Sequence, residues 1–243
     1  MAETIVFRLE APLAAFGGLA VGERRSGHRR PAHSAILGLV AGAIGLRRED
    51  PGHETLVASF WLATRCDRLG APLADFHTAQ TPPQKKGQHF ATRADELVDK
   101  HDLGTIVSRR DYWTDATFTV LLWPTPECVH DPKDIAAALN RPRFAGFLGR
   151  KSCPLGHPPN ARIVSADRLD QAFRAYDVML AEHVADDPLL SRAGGDEIAF
   201  DLALRPMLGE WIERSRENRR DHLLSRANWQ FGLRAEGLAG AKQ

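Results

Sequence analysis

Residues 116–124, ATFTVLLWP, constrain the fold most, because this run is the strongest strand signal in the chain. Three other segments carry strand patterns of alternating or β-branched apolar residues. They are TIVFRLEA (4–11), ASFWLATRCD (58–67) and ARIVSA (161–166). The chain therefore has at least four strands available for one sheet.

Two helices are predicted between these strands. Ser34 is placed to act as N-cap of the apolar segment SAILGLVAGAIGL, which stops near Gly45. PKDIAAALNRP begins with proline in its first turn and predicts a short helix that ends by Arg141. The order is strand, helix, strand, long insertion, strand, helix, glycine-rich loop, strand. This is the βαββαβ pattern of an α+β, ferredoxin-like domain.

The insertion, from Leu73 to Arg110, differs from its surroundings. Its TPPQKKGQHFATR run is polar, basic and broken by proline, so it has little to bury. We expect an excursion from the core, a hairpin arm that returns along GTIVSRRDYW.

The pattern weakens after about Leu169. EIAFDLALRP (197–206) has the composition of a strand. WIERSRENRRDHLLSRANW is compatible with a helix or with a partly ordered basic tail.

Composition excludes several protein classes. No run of eighteen apolar residues is present, and the N-terminus has acidic residues where a signal peptide would be basic. Three widely spaced cysteines suggest neither a disulfide framework nor a zinc knuckle. We therefore expect a cytoplasmic protein that does not enter the membrane.

Positive charge is clustered although the net charge is only +1. GERRSGHRR (22–30) holds four arginines and a histidine, and GRKS (149–152) and ERSRENRR (213–220) are also basic. Such clusters on a nearly neutral chain favour a defined face that binds a polyanion. The alternative is that these arginines are ordinary surface residues.

The stretch FLGRKSCPLGHPP (147–159) allows five interpretations. It is not a nucleotide-binding P-loop, because Arg150 interrupts the motif and Pro154 disfavours the required helix. A metal pair of Cys153 and His157 would lack helical geometry, and a buried thiol is more plausible than a nucleophile. Two possibilities stay open: a structural turn, or a phosphate contact through backbone N–H groups with Arg150 and Lys151.

Aromatic residues next to arginines suggest single-stranded nucleic acid. Tyr112 and Trp113 follow Arg109 and Arg110, an arrangement that can stack on bases and neutralise phosphates. The alternative is that one or both aromatics face the core. Metal-independent RNA cleavage would require acid–base residues. The candidates are His28, His33, His77, His89 and Tyr112, for which binding or surface placement is the simpler interpretation.

Several segments, in order, resemble the CasD family. They are FRLEAPLAAFG, RRPAHSAILGLVAGAIGLRRED, RDYWTDATFTVLLW and RPRFAGFLGRKSCPLGHP, between about Ile5 and Pro159. CasD proteins are RNA-binding RAMP subunits of the type I-E CRISPR surveillance complex, Cascade. GRKSCPLGHP is the most specific of these matches, whereas the last eighty residues match loosely.

The resemblance implies an RRM-like RAMP domain over residues 1–166, a thumb hairpin over 79–109 and a C-terminal extension over 167–243 packed on the domain. It implies a non-catalytic, cofactor-free subunit that caps the 5′ handle of the guide RNA (crRNA). Its other partners would be the Cascade backbone subunit and large subunit, with target DNA reached through the guide heteroduplex. The residues expected at the RNA are Arg24, Arg25, His28, Arg29, Arg30, His33, Ser34, Lys85, Lys86, Arg109, Arg110, Tyr112, Gly146, Gly149, Arg150, Lys151 and Ser152.

Two other functions stay possible at this level. One is a metal-independent endoribonuclease that processes the CRISPR repeat, as a CasD-like protein does in a sibling subtype. The other is a general single-strand-binding module outside CRISPR biology.

Overall fold

The protein has a mixed α/β fold built on a large antiparallel sheet. The structure, a computed structural model, describes residues 1–18, 20, 22–83, 87–183 and 195–241. In those ranges the strands are β1 Ala2–Ala14, β2 Arg24–Arg25, β3 Phe60–Arg68, β4 Ala71–Thr81, β5 Gly104–Pro124, β6 Arg162–Ala166, β7 Glu197–Asp201, β8 Trp211–Ser225 and β9 Gln230–Ala241. The α-helices are α1 His33–Ile44, α2 Gly52–Ser59, α3 Arg93–Glu96, α4 Pro132–Asn140 and α5 Leu169–His183, and a 3₁₀ helix spans Leu202–Met207.

The main path of the sheet runs β6-β1-β5-β3-β7-β9-β8, with every neighbouring pair antiparallel. β5 is central, between β1 and β3. Its register places Val120 opposite Phe7 on one side and opposite Thr64 on the other. The first and last segments of the chain therefore belong to one continuous sheet.

Alternate residues of the central strands bury into two cores, one on each face of the sheet. In β5, Val120 and Leu122 join the core that contains residues of α1 and α4, whereas Leu121 joins the core formed with α5. Phe7 and Val6 of β1 divide in the same way. Burying each such side chain fully contributes roughly 1.5–3 kcal/mol, so both faces stabilise the sheet.

β5 is long because its two halves pair with different strands. Its second half pairs with β1 and β3, and its first half pairs with β4 from Ala71↔Thr114 to Thr81↔Gly104. Asp115, between the halves, has a positive φ of 52°. The β4–β5 hairpin is mostly exposed, and its pairing begins at Ala71, before the 79–109 segment marked out from the sequence.

The helix boundaries partly match expectation. α4 ends at a C-cap on Arg141, and α1 ends at Gly45 with φ of 90°, both as predicted. The predicted N-cap at Ser34 is wrong, since α1 begins at His33 after Ala32, whose side chain cannot cap. The carboxylate of Asp221 accepts the hydrogen bond from the His33 amide instead, at 2.9 Å. A distant strand thus supplies the cap.

The helix or partly ordered basic tail considered for the C-terminal basic segment is also wrong, because most of the segment is strand β8. Arg219 and Asp221 of β8 are buried, although both are charged. They meet Glu236 and Arg234 of β9, which satisfy them across the hairpin. Inward-facing charges paired across strands hide the usual apolar alternation of a strand.

Candidate nucleic-acid interface

Three basic segments that are far apart in sequence come together: the basic loop after β1, the first half of β5 and the glycine-rich loop. Arg24 and Arg25 form β2, which pairs in parallel with Arg109 and Arg110. The backbone N–H of Arg109 donates to the carbonyl of Glu23 at 3.0 Å. The basic loop after β1 is therefore held along the first half of β5.

The glycine-rich loop forms a small closed turn against the end of β1. The Leu148 amide donates to the Cys153 carbonyl, and the Cys153 amide donates to the Arg150 carbonyl, both at 2.8 Å. The Ala15 amide donates to the Leu148 carbonyl at 3.0 Å. The sulfur of Cys153 is buried, and burial raises the pKa of the thiol. This matches the inert-thiol interpretation and disfavours a nucleophile.

Glycine at position 149 is required by conformation and by space. Its φ is 88°, and a Cβ there would lie 2.0 Å from the carbonyl oxygen of Ala15. A Cβ on Gly146 would lie 3.0 Å from Leu155, a tight contact with a flexible side chain. Gly149 therefore lets the loop sit directly against the end of β1.

Arg150 joins the three segments. Its guanidinium carbon lies 4.7 Å from the centroid of the Tyr112 ring, and its Nη2 donates to the Arg25 carbonyl at 3.2 Å. Nη1 is buried and lacks a hydrogen-bond acceptor among the described residues. Tyr112 itself is only 6% exposed. The aromatic ring therefore supports the arginine from below, and Trp113 packs against the core as well.

Around Arg150 lies a surface with surplus positive charge. Arg24 and Arg109 share one carboxylate, Asp111, at 3.2 and 3.5 Å. Lys151 is exposed and makes no ion pair with any described residue. Because one acid faces several cations, this surface attracts anions. Its predicted members that are at least partly exposed are Arg24, Arg25, Arg109, Arg110, Arg150, Lys151 and Ser152.

His28 and Arg29 lie at the margin of this surface. The His28 amide donates to the Phe16 carbonyl at 2.6 Å, which closes the basic loop. Partial burial, and then Arg219 and Arg30, lower the pKa of His28. His28 thus offers a neutral hydrogen-bonding ring at neutral pH. Arg29 is exposed and lines a cavity of about 180 Å³.

Arg30 and His33 point toward the C-terminal hairpin. The Arg30 guanidinium is 16% exposed and lies 2.5 Å from Glu236 and 2.6 Å from Glu217. His33 is buried, with Nε2 3.6 Å from Asp201. Both side chains, expected at the RNA from the sequence, are therefore engaged by acidic residues of β7, β8 and β9. Local sequence could not reveal acidic partners about 200 positions away.

The remaining predicted residues are dispersed. Ser34 is half-buried on α1 beside Leu37 and Leu223. Lys85 and Lys86 lie outside the described residues. His77 lies on β4 beside Asp75, and His89 lies in the β4–β5 connection, so the acid–base candidates occupy separate elements.

Sequence reasoning missed the acidic residues that hold the basic loop in place. These residues are Glu217, Asp221 and Glu236. The two glutamates bind Arg30, Asp221 binds the His33 amide, and the acids also share arginine partners with one another. The signal was the alternation of acidic and basic residues in ERSRENRRD, typical of a charge-paired strand.

The described parts of the chain contain neither a candidate membrane-spanning helix nor a candidate metal-ligand cluster. None of the helices there is both long and apolar enough to cross a bilayer. In the same ranges, no three histidine, cysteine, aspartate or glutamate side chains are grouped as metal ligands.

Comparison with known proteins assigns the family. Residues 4–235 match the model of the family described as CRISPR-associated protein (Cas_Cas5). The chain belongs to the Cas5 family. It is 33% identical over 218 residues to the CRISPR system Cascade subunit CasD of Escherichia coli (strain K12), covering 86% of this chain and 90% of that protein. The family expected from the sequence motifs is thereby confirmed.

Two solved structures share the fold of this Cas5-family protein. A chain of a CRISPR RNA-guided surveillance complex has a TM-score of 0.60 at 21% identity, over 98% of this chain and 90% of that one. A second, described as a Cas protein, has a TM-score of 0.55 at 20% identity, over 98% and 95%.

Proposed function

We propose that this protein is the subunit of a Cascade complex that binds the 5′ handle of the guide RNA without cleaving it. Support comes from membership of the Cas5 family and from the relationship to the Escherichia coli Cascade subunit CasD. In that role its neighbours are the backbone and large subunits, and target DNA is contacted through the guide heteroduplex.

One observation carries the proposal: the position of Arg150. Its guanidinium lies on Tyr112 and bonds to the carbonyl of Arg25, so the glycine-rich loop, the basic loop and β5 present one surface. Exposed loops with neighbouring cations suit the splayed, single-stranded backbone of a processed RNA end. Lys85 and Lys86 remain proposed contacts from the β4–β5 connection.

We infer a division of labour within the proposed site. Arg24, Arg25, Arg110 and Lys151 are its phosphate contacts, because they are the exposed or half-exposed cations of the three basic segments. His28, Arg29, Arg109 and Ser152 flank them. Arg30, His33 and Tyr112 support the surface from beneath.

The proposed architecture is a ferredoxin-like RAMP core over residues 1–166, with the 79–109 thumb and the 167–243 extension added to it. The sheet order β6-β1-β5-β3, with helices α1 and α4 on one face, supports a βαββαβ core. α5 and Phe200 of β7 help to form the opposite core, which supports an extension that packs on the domain.

The burial of two of the acid–base candidates, Tyr112 and His33, favours the non-catalytic role. Tyr112 is buried beneath Arg150, and His33 is buried against Asp201. Neither side chain is free to approach a ribose 2′-hydroxyl, which general base catalysis of RNA cleavage requires.

The test is binding of the purified chain to end-labelled repeat RNA, whole and pre-processed, with chelator present. We expect binding without cleavage, tighter for the pre-processed handle. Lys151→Glu should weaken handle binding and lower the slope of log K against log salt by roughly 0.7, the value for one lost phosphate contact on a single strand. Lys133→Glu, an exposed charge reversal on α4, is the control. Cleavage at one repeat position would refute the proposal, as would a Lys151→Glu slope equal to that of the control.

A further inference from the structure

The tip of the β8–β9 hairpin carries an aromatic ring flanked by two arginines. The guanidinium carbon of Arg226 lies 4.3 Å from the ring centroid of Trp229, and that of Arg48 lies 4.8 Å from it. Trp229 is 52% exposed. The cluster joins the turn between β8 and β9 to the loop after α1.

These two arginines have no acidic partner among the described residues. Neither Arg48 nor Arg226 forms an ion pair with a described residue, whereas Arg219 and Arg234 are each bound to carboxylates. The Nε of Arg226 is buried without an acceptor in the described part of the chain. Burial, and then the charge of Arg48, lower the pKa of Arg226. An anion bound by the two guanidiniums would relieve the repulsion between them.

The turn holds this arrangement at a conformational cost. Trp229 has φ of 54°, in a region that costs a residue with a side chain roughly 1–2 kcal/mol. Its amide donates to the Arg226 carbonyl at 3.2 Å, which fixes the two residues together. The strain persists at an exposed tip, where a glycine would avoid it.

We propose that Arg48, Arg226 and Trp229 form a second contact site for the phosphodiester backbone of a nucleic acid strand. The two guanidiniums donate to the non-bridging oxygens of one phosphate, and the exposed part of the indole contacts the adjacent sugar or base. Arg48 follows the C-terminal end of α1, whereas the basic loop precedes its N-terminal end. Arg226 lines a small pocket with Ser34 and Leu37 of α1, so the site lies alongside this helix.

The site gives the C-terminal hairpin a role of its own. Its cations lie beyond the charge network that fixes the basic loop, so the hairpin can bind a strand without disturbing the handle surface. The inference rests on the proposed function only in taking nucleic acid as the natural ligand.

The experiment compares the full chain with the double variant Arg48→Gln/Arg226→Gln. Labelled oligo-uridylate and a DNA duplex of equal length are the probes, and polyglutamate is the competitor. We expect the variant to bind at least one nucleic acid roughly tenfold more weakly, with a salt slope lower by roughly 0.7 to 0.9 for one phosphate. The control Lys133→Gln/Arg174→Gln removes the same charge from exposed positions on α4 and α5 and should bind as the wild type does.

Two outcomes would overturn the proposal. One is unchanged affinity and slope for both nucleic acids. The other is that the substitutions abolish polyglutamate binding while nucleic acid binding is unaffected, which would assign the tip to an acidic protein. The single variant Arg48→Gln, at an exposed loop position, provides the same readout if the double variant does not fold.

Comparing variants of the two surfaces separates this proposal from the handle proposal. The hairpin-tip variant should keep the preference for handle RNA over oligo-uridylate, whereas Lys151→Glu should reduce it. Loss of the preference in the tip variant, with Lys151→Glu unaffected, would refute both assignments.

Discussion

The carboxylate of Asp221 accepts a hydrogen bond from the backbone amide of His33 at 2.9 Å, across 188 positions of sequence. Through this bond a β8 residue caps the helix that follows the basic loop. Asp221 also binds Arg234 at 3.1 Å within the hairpin. The candidate RNA surface and the C-terminal hairpin are therefore mechanically linked.

Replacing Asp221 should destabilise the whole fold. Asp221→Ala removes the cap of α1 and leaves Arg234 with fewer partners, so we expect the free energy of unfolding to fall by about 3 kcal/mol. Urea denaturation measures it. Glu127→Ala, an exposed carboxylate in a loop, should change stability by less than about 0.5 kcal/mol. Equal effects of the two substitutions would contradict the linkage.

Stability should decline with acid because of the same carboxylates. Although burial opposes it, hydrogen bonds hold the pKa of Asp221 and of Asp201 below the ordinary 3.8, with Arg234 and His33 as the main donors. A lowered pKa in the folded chain stabilises it above the unfolded pKa, and this contribution is lost as pH falls through the folded pKa.

The free energy of unfolding should therefore fall from about pH 5 downward, less steeply in Asp221→Asn than in the wild type. Urea titrations at stepped pH values test this comparison. Parallel curves for the two proteins would show that Asp221 does not contribute.

Gly149→Ala should lower the free energy of unfolding by more than its positive φ alone explains. The added Cβ meets the Ala15 carbonyl at 2.0 Å, so we expect a loss of about 3 kcal/mol and weaker handle binding. Gly87 also has a positive φ, 81°, but a Cβ added there would meet nothing within 4 Å. Gly87→Ala should cost about 1 kcal/mol. Equal losses in chemical denaturation would mean that the loop does not rest on β1.

Arg150→Lys should separate charge from position. The substitution keeps one positive charge but loses the planar group that lies on Tyr112 and bonds to Arg25. We expect handle affinity to drop roughly tenfold while the salt slope changes little. Lys151→Arg, which preserves charge at an exposed position, is the control. If Arg150→Lys binds as tightly as this control, Arg150 acts through its charge alone.

We expect Arg30 to stabilise the fold and Arg24 to contribute to handle binding. Arg30→Gln removes a buried partner of Glu236, so the free energy of unfolding should fall by about 2 kcal/mol. Arg24 is 66% exposed, so Arg24→Gln should leave stability within about 0.5 kcal/mol and weaken handle binding. Thermal unfolding and anisotropy titration, run on both variants, decide between the two roles. The reverse pattern would exchange the assignments.

Local sequence was a good guide where neighbours along the chain set the structure. The apolar run 116–124 is strand, Gly45 ends α1, and Arg141 follows the last turn of α4. Such features depend on side-chain shape, φ preference and apolar spacing within a few residues, and these are visible in one sequence.

Local sequence was a poor guide where buried charges replace apolar residues. β8 has charged residues, Arg219 and Asp221, at buried positions where a strand usually has apolar ones. The sequence pattern therefore did not distinguish a strand from a helix or a tail. α2, at Gly52–Ser59, was missed, and the first half of β5 was not recognised as continuous with the second.

The family motifs, the basic clusters, strands β1, β3 and β6 and the second half of β5 can be identified from the amino-acid sequence alone. Which cations are available to a ligand depends on the folded arrangement. Arg30 is bound by Glu236, 206 positions away, while Lys151 makes no ion pair with a described residue. The physical reason is that charge identity is local, whereas neutralisation depends on which strands the sheet places side by side.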